Sequence, residues 1–292
     1  MRVLALFAVV ILSAAMAYGE GNAPLAFQKH GKGARAVILV PGLDCGASVW
    51  DATVKALEGE YTIYTVTLAG FDGQPAIAAP YCDAWVEAIA KLVADEKLDK
   101  PILVGHSLGG NLALREAIAH PDLLRAIVLV DATPIFPLPA EGETMESRKA
   151  QMKAFADMIR RGNDAQFRAG LEAYLATAVT RAEDRKTIAA MAVRADRETH
   201  CGAFYELATT DLRSDLAKIT VPVRVIAAVP PAGPAGPTAE QLPAGMKEGY
   251  DEMFKAAKDY AVDLVADSRH FIMYDQPARL QELLAADLAK LK

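Results

Sequence analysis

The feature that most constrains this chain is an alternation. Short, compact apolar runs recur along it, separated by longer amphipathic stretches. Arg35–Val40 (RAVILV), Tyr61–Leu68 (YTIYTVTL), residues 101–104 (PILV), Ala126–Val130, residues 221–227 and Tyr260–Val265 have the length and residue types of buried strands. Between them Trp85, Ile89, Leu92 and Val93 fall on one face of a helix, and a further helical stretch stops at His120-Pro121. Leu280, Leu283, Leu284, Leu288 and Leu291 line one side of a closing helix. A strand that is apolar throughout must be covered on both faces, so the expected class is α/β, a mostly parallel sheet flanked by helices.

Residues 137–216 break this rhythm. They contain no convincing strand but several helical stripes: Met152, Phe155, Ala156 and Ile159 on one face, and Phe167, Leu171, Tyr174 and Leu175 on another. Lying between two sheet strands, they read as an all-helical cap inserted into a core formed by residues 22–136 and 217–292. Residues 230–243 are rich in Pro, Gly and Ala and read as a loop.

The chemistry centres on Gly105-His106-Ser107-Leu108-Gly109. A G-x-S-x-G pattern alone is common, but here it follows the run 101–104 and precedes Asn111-Leu112-Ala113-Leu114, a helical segment rich in small residues. That strand–turn–helix context is what a nucleophile elbow requires, with small residues flanking a serine lifted clear of the sheet. On these residues most of the chain resembles the α/β-hydrolase superfamily. Val40-Pro41-Gly42-Leu43, running on to Trp50, resembles its oxyanion loop, with Pro41 where many members carry His. The resemblance implies an oxyanion hole made by the backbone N–H groups of Leu43 and Leu108. Gly70-Phe71-Asp72-Gly73 resembles the turn that follows the next strand in many members.

Ser268-Arg269-His270-Phe271 stands where the superfamily places its catalytic histidine, and Asp275-x-Pro277 resembles its acidic-x-Pro turn. His106 is a rival base only by nearness to Ser107; His30, His120 and His200 have no motif around them. The acid departs from the common pattern. Many members carry Asp after the penultimate strand, where this chain reads Ala228-Val229-Pro230-Pro231-Ala232-Gly233. Another arrangement takes the acid one strand earlier, and Val130-Asp131-Ala132-Thr133-Pro134 offers Asp131 there, in the order Ser107, Asp131, His270 expected of this fold. Asp211 and Asp267 are the alternatives.

The expected function is a serine hydrolase that cleaves a carboxylic ester of a small molecule through an acyl-enzyme on Ser107. Peptide, lactone and C–C bond cleavage use the same residues and stay open. A reading of another class is a non-catalytic binding protein on this fold. No cofactor is implied. Phe155, Phe167, Tyr174 and Phe204 are the aromatic side chains available for an acyl pocket under the cap.

Composition bounds the rest. An apolar content of 52% with 23% charged residues suits a globular protein with a sizeable core. A formal net charge of −6 argues against nucleic acid as a partner. Arg2, the apolar run 3–12 and Ala15-Met16-Ala17 read as a signal peptide over residues 1–17, giving a secreted or periplasmic protein without a stable membrane span. Cys45, Cys82 and Cys201 would allow one disulfide and one free thiol, with the pairing left open. The five histidines show no metal-ligand spacing, and nothing fixes an oligomeric state.

Overall fold

The computed structural model describes residues 23–232 and 241–291; the expected signal peptide lies outside them. Seven strands are formed: β1 (Leu25–His30), β2 (Arg35–Val40), β3 (Tyr61–Leu68), β4 (Ile102–His106), β5 (Ala126–Val130), β6 (Val223–Ala228) and β7 (Tyr260–Val265). They make one sheet in the order β1-β3-β2-β4-β5-β6-β7. Only β1 is antiparallel to its neighbour; all other pairs are parallel. The C-terminal ends of β2, β4, β5, β6 and β7 therefore share one edge. The order reverses between β2 and β4, so their following loops part there and leave a crevice, the usual place for a site in such sheets.

Helix α1 (Asp51–Leu57) follows β2, α2 (Tyr81–Asp95) follows β3 and α3 (Leu108–Ala119) follows β4. Between β5 and β6 come α4 (Met145–Arg161), α5 (Asp164–Ala178), α6 (Ala182–Ala192) and α7 (Arg197–Ala208). Then α8 (Gln241–Met253) precedes β7, and α9 (Ile272–Asp275) and α10 (Pro277–Lys290) close the chain. Alternate strand residues point to opposite faces. Ile38 and Val40 pack with Trp85 of α2, Leu112 of α3 and Phe254 just after α8, whereas Val37 and Leu39 pack with Trp50, Val54 and Leu284 on the α1 and α10 side. β4 and β5 are buried along their whole length, as their unbroken apolar character demands.

The four helices between β5 and β6 are fastened to the core at several points. The Glu206 carboxylate of α7 accepts hydrogen bonds from the first N–H groups of α2, at Tyr81 (2.9 Å) and Cys82 (2.7 Å), and so satisfies donors that a helix start leaves free. Asp196 N–H donates to Gly70 O at 2.7 Å, and Arg194 pairs with Asp72, so the Gly70–Gly73 turn serves as a docking point. Of the apolar stripes in these helices, Ala156, Leu171 and Leu175 are buried, but Phe155 and Tyr174 stay 41% and 49% exposed.

Three boundaries differ from the sequence reading and one strand was not read; β4 runs over Ile102–His106 rather than 101–104. β6 begins at Val223 rather than 221, after Pro222, which has no N–H for the ladder. The loop expected over 230–243 gives way to α8 at Gln241, with Pro243 in the first turn, where a missing N–H costs nothing. β1 lacks a strong pattern because it is an edge strand in which only Leu25 is fully buried. Cys45, Cys82 and Cys201 are buried and unpaired. No helix among the described residues is long and apolar enough to cross a membrane.

Candidate active site

Ser107 sits between β4 and α3 with φ 54° and ψ −117°, a left-handed conformation that a non-glycine residue holds only when its surroundings enforce it. They do so here. Ser107 N–H donates to Val130 O (3.0 Å), tying the turn to β5, and Ser107 O accepts from Gly110 N–H (2.9 Å) as α3 starts. The flanking glycines allow the close approach: a Cβ on Gly105 would lie 2.1 Å from Gly109 O, and one on Gly109 would lie 2.3 Å from Val40 O. The serine remains partly accessible while both neighbours are buried.

The loop after β2 passes directly beside it, since a Cβ on Gly42 would stand 3.2 Å from Ser107 Cβ. Cys45 N–H donates to Gly42 O at 3.2 Å, closing a turn with Leu43 and Asp44 at its centre. Leu108 is the first residue of α3, so its N–H has no acceptor within the helix. Both backbone groups expected to bind an oxyanion thus belong to segments that border Ser107.

His270 follows β7, and its Nδ1 lies 2.6 Å from Asp131 Oδ2. The carboxylate can only accept, so Nδ1 carries the proton and Nε2 is left as the basic nitrogen. The other oxygen, Asp131 Oδ1, accepts from Ala228 N–H at 2.9 Å. The end of β6, which lacks the usual carboxylate, therefore supplies the donor that orients the carboxylate of β5. The pair is partly accessible, with side-chain exposures of 23% for His270 and 17% for Asp131. A cleft runs past it along Thr177, Ala228, Pro230 and Pro231. Of the alternative acids, Asp211 binds Arg213 at 2.7 Å, and Asp267 is exposed.

The histidine loop is held from three sides. Asp275 Oδ2 accepts from Arg269 N–H (2.8 Å), while its Oδ1 accepts from Thr180 N–H (2.9 Å). Phe271 N–H donates to Ala178 O at the end of α5 (3.3 Å). His106, fully buried beneath, donates from Nε2 to the His270 carbonyl at 3.0 Å, with the two rings 4.7 Å apart. Burial first, and then the neighbouring His270, hold the His106 pKa well below 6.5, which keeps it a neutral donor. His106 supports the His270 backbone and is not placed as a base. The supporting role of His106 was not read from sequence, where its adjacency to Ser107 was the available signal; Asp275 stood out as part of an acidic-x-Pro turn, but its hold on Arg269 and Thr180 did not.

The expected aromatic pocket divides. Tyr174 stands edge-on to His270 (6.4 Å between centroids) and Phe167 edge-on to His200 (5.1 Å), whereas Phe155 and Phe204 pack on each other (5.5 Å).

A mostly parallel sheet with a strand–serine–helix elbow at its centre and a histidine after the last strand defines an α/β hydrolase. The chain belongs to the Alpha/beta hydrolase family, whose model matches residues 37–283. Among its curated relatives, a pimeloyl-[acyl-carrier protein] methyl ester esterase of Citrobacter koseri is 32% identical over 110 residues, 38% of this chain and 41% of that protein. The human (lyso)-N-acylphosphatidylethanolamine lipase is 31% identical over 133 residues, 44% of this chain and 39% of the lipase. The matched stretches span less than half the length of these relatives. Among solved structures, a thermophilic esterase from Thermogutta terrifontis superposes with a TM-score of 0.74 at 22% identity, covering 91% of this chain and 93% of the esterase. The enol-lactonase from Burkholderia xenovorans LB400 gives 0.73 at 18% identity, covering 91% and 96%.

Proposed function

We propose that this protein hydrolyses a carboxylic ester of a small molecule by way of an acyl-enzyme on Ser107. The observation that carries the reading is the His270 Nδ1–Asp131 Oδ2 contact of 2.6 Å, with Asp131 Oδ1 fixed by Ala228 N–H, on the same sheet edge as the strained serine. His270 Nε2 accepts the Ser107 proton as Oγ attacks the ester carbonyl. It returns that proton to the departing alcohol, then takes one from the attacking water and passes it to Ser107 Oγ as the acyl-enzyme bond breaks and the acid leaves. The N–H groups of Leu43 and Leu108 bind the tetrahedral oxyanion. Asp131 holds the tautomer and offsets the imidazolium charge. No cofactor enters these steps. Helices α4–α7, over residues 137–216, act as a cap, and Tyr174 beside His270 forms part of the wall against which the acyl or alcohol group rests.

The curated relatives support ester chemistry, since an esterase and a lipase are among them. The signal-like N-terminus supports work outside the cytoplasm. The test is a fluorophosphonate probe together with p-nitrophenyl esters of graded length. We expect labelling at Ser107 that Ser107→Ala abolishes, and faster turnover of short and medium acyl chains than of emulsified long-chain triglyceride. Folded protein that neither labels nor turns over any ester would refute the reading.

A further inference from the structure

Next to the elbow lies a second buried acid–imidazole pair that the chemistry above does not use. His200 Nδ1 donates to Asp44 Oδ2 at 2.7 Å. Both side chains are about nine-tenths buried or more, with exposures of 11% and 4%. They come from distant parts of the chain. Asp44 belongs to the turn after β2, and His200 belongs to α7 in the inserted helices.

The position of Asp44 gives the pair its meaning. It follows Leu43 directly, and the two form the centre of the Gly42–Cys45 turn that borders Ser107. Asp44 has φ 62°, in the left-handed region where a residue with a Cβ is disfavoured. Asp enters this region more readily than most residues, and a hydrogen bond on its side chain fixes it there. The described contact that can do so is the side-chain hydrogen bond to His200. His200 is itself fixed: its N–H donates to Asp196 O at 2.9 Å, Asp196 N–H donates to Gly70 O at 2.7 Å, and the Phe167 ring stands edge-on to the imidazole. A rigid path therefore runs from the β3 loop through the start of α7 to the turn that carries the Leu43 N–H.

We infer that His200 is a positioning residue: through Asp44 it holds the Leu43 N–H in register with Ser107, so the oxyanion hole is complete only while α7 is docked on the core. This rests on the proposed reading of Ser107 as nucleophile and Leu43 as oxyanion donor. A misplaced donor weakens binding of the transition state more than binding of the ground-state ester, so the loss falls on kcat and not on KM.

The experiment compares kcat, KM and Tm on p-nitrophenyl butyrate for the wild type, His200→Ala, Asp44→Ala, Asp44→Asn and Arg194→Ala. Asn keeps an acceptor oxygen for His200 and tolerates the left-handed backbone. Arg194→Ala removes a different tie between insert and core, the ion pair with Asp72. His200→Ala and Asp44→Ala should lose about 10- to 100-fold in kcat, roughly tenfold less than the loss from deleting one oxyanion donor. Their KM, and both constants of Asp44→Asn and Arg194→Ala, should stay within about threefold of wild type. Unchanged kcat in folded His200→Ala overturns the inference. So does an equal loss in Arg194→Ala, which would mean general loosening of the insert, or an equal loss in Asp44→Asn, which would mean a role for charge. Should His200→Ala fail to fold, the contrast between Asp44→Ala and Asp44→Asn decides by the same criterion. A wild type inert to every ester overturns the functional reading and this one together; an active wild type with an insensitive His200→Ala overturns this one alone.

Discussion

Replacing Asp131 with Asn exchanges one oxygen for an NH2 and meets two fixed donors at once. The carboxylate takes the His270 Nδ1–H at 2.6 Å on one oxygen and the Ala228 N–H at 2.9 Å on the other. An amide has a single acceptor oxygen. If it faces His270, the NH2 is driven against the Ala228 N–H, and an unpaired donor in a partly buried place costs about 1–3 kcal/mol. If it faces Ala228, every group can pair, provided that the imidazole moves its proton from Nδ1 to Nε2. The second arrangement is cheaper for the fold and ruinous for the chemistry, because Nε2 can no longer accept the Ser107 proton. We therefore expect Asp131→Asn to fold with a Tm close to wild type and to lose about 10⁴-fold in kcat, the scale known for this substitution in an unrelated serine protease. That loss corresponds to about 5 kcal/mol of transition-state stabilisation. The assay is steady-state hydrolysis of p-nitrophenyl butyrate beside a thermal melt. A loss below about tenfold at unchanged Tm would refute the assignment of Asp131 and leave Ser107 and His270 standing.

Three further outcomes follow from particular groups. Buried His106 stays neutral in the fold while the unfolded chain takes up a proton below pH ~6.5, so stability falls with pH there by up to about 1.4 kcal/mol per unit; His106→Gln should flatten the decline of Tm between pH 6.5 and 5. The pKa of the Glu116 carboxyl on α3 is raised to about 8, by burial first and Glu87 second, and one of its oxygens has no partner among the described residues. It stays protonated where the unfolded chain ionises, so the fold loses stability as pH rises from about 4.5 to 8, and the Tm gain of Glu116→Gln over wild type should grow across that window; a constant difference would contradict this. For export, mass spectrometry of the protein from periplasm or medium should find a new N-terminus near residue 18, and an intact Met1 on soluble cytoplasmic protein would rule it out.

The inner strands of the sheet were legible because they are buried on both faces. Arg35–Val40, Tyr61–Leu68 and Ala126–Val130 coincide with strands end to end, since compact β-branched runs have few other ways to lie in a buried sheet, and Tyr260–Val265 coincides too although it is an edge strand in which only Val265 is buried. β1 escaped notice for the opposite reason: an edge strand whose middle is half-exposed has no need of an apolar pattern. The start of α8 was hidden by Pro243, which reads as a breaker yet is harmless in a first turn. The helical stripes of the insert were legible as helices but not as surfaces. Phe155 and Tyr174 share the spacing of their buried neighbours and still face outward, because periodicity reports a helix face and not what, if anything, covers it.

The site divides along the same line. Ser107 and His270 announce themselves because local sequence dictates their placement: the elbow needs its glycines, and the histidine needs only the end of a strand. The partners that tune them are non-local. Asp131 reaches His270 across 139 positions, His106 reaches the same loop across 164, and Asp44 meets His200 across 156. In each case a short polar side chain finds a partner that sequence spacing cannot announce. Parallel packing explains how such pairs arise without local motifs. It brings the ends of β4, β5, β6 and β7 to one edge, so a carboxylate at the end of β5 can reach the histidine that a carboxylate after β6 would otherwise serve. What makes the exchange workable is the Ala228 N–H, a backbone donor that any residue at the end of β6 except proline could provide. The proposed acid thus rests on sheet topology and one main-chain hydrogen bond, and only its identity as Asp is written in the sequence.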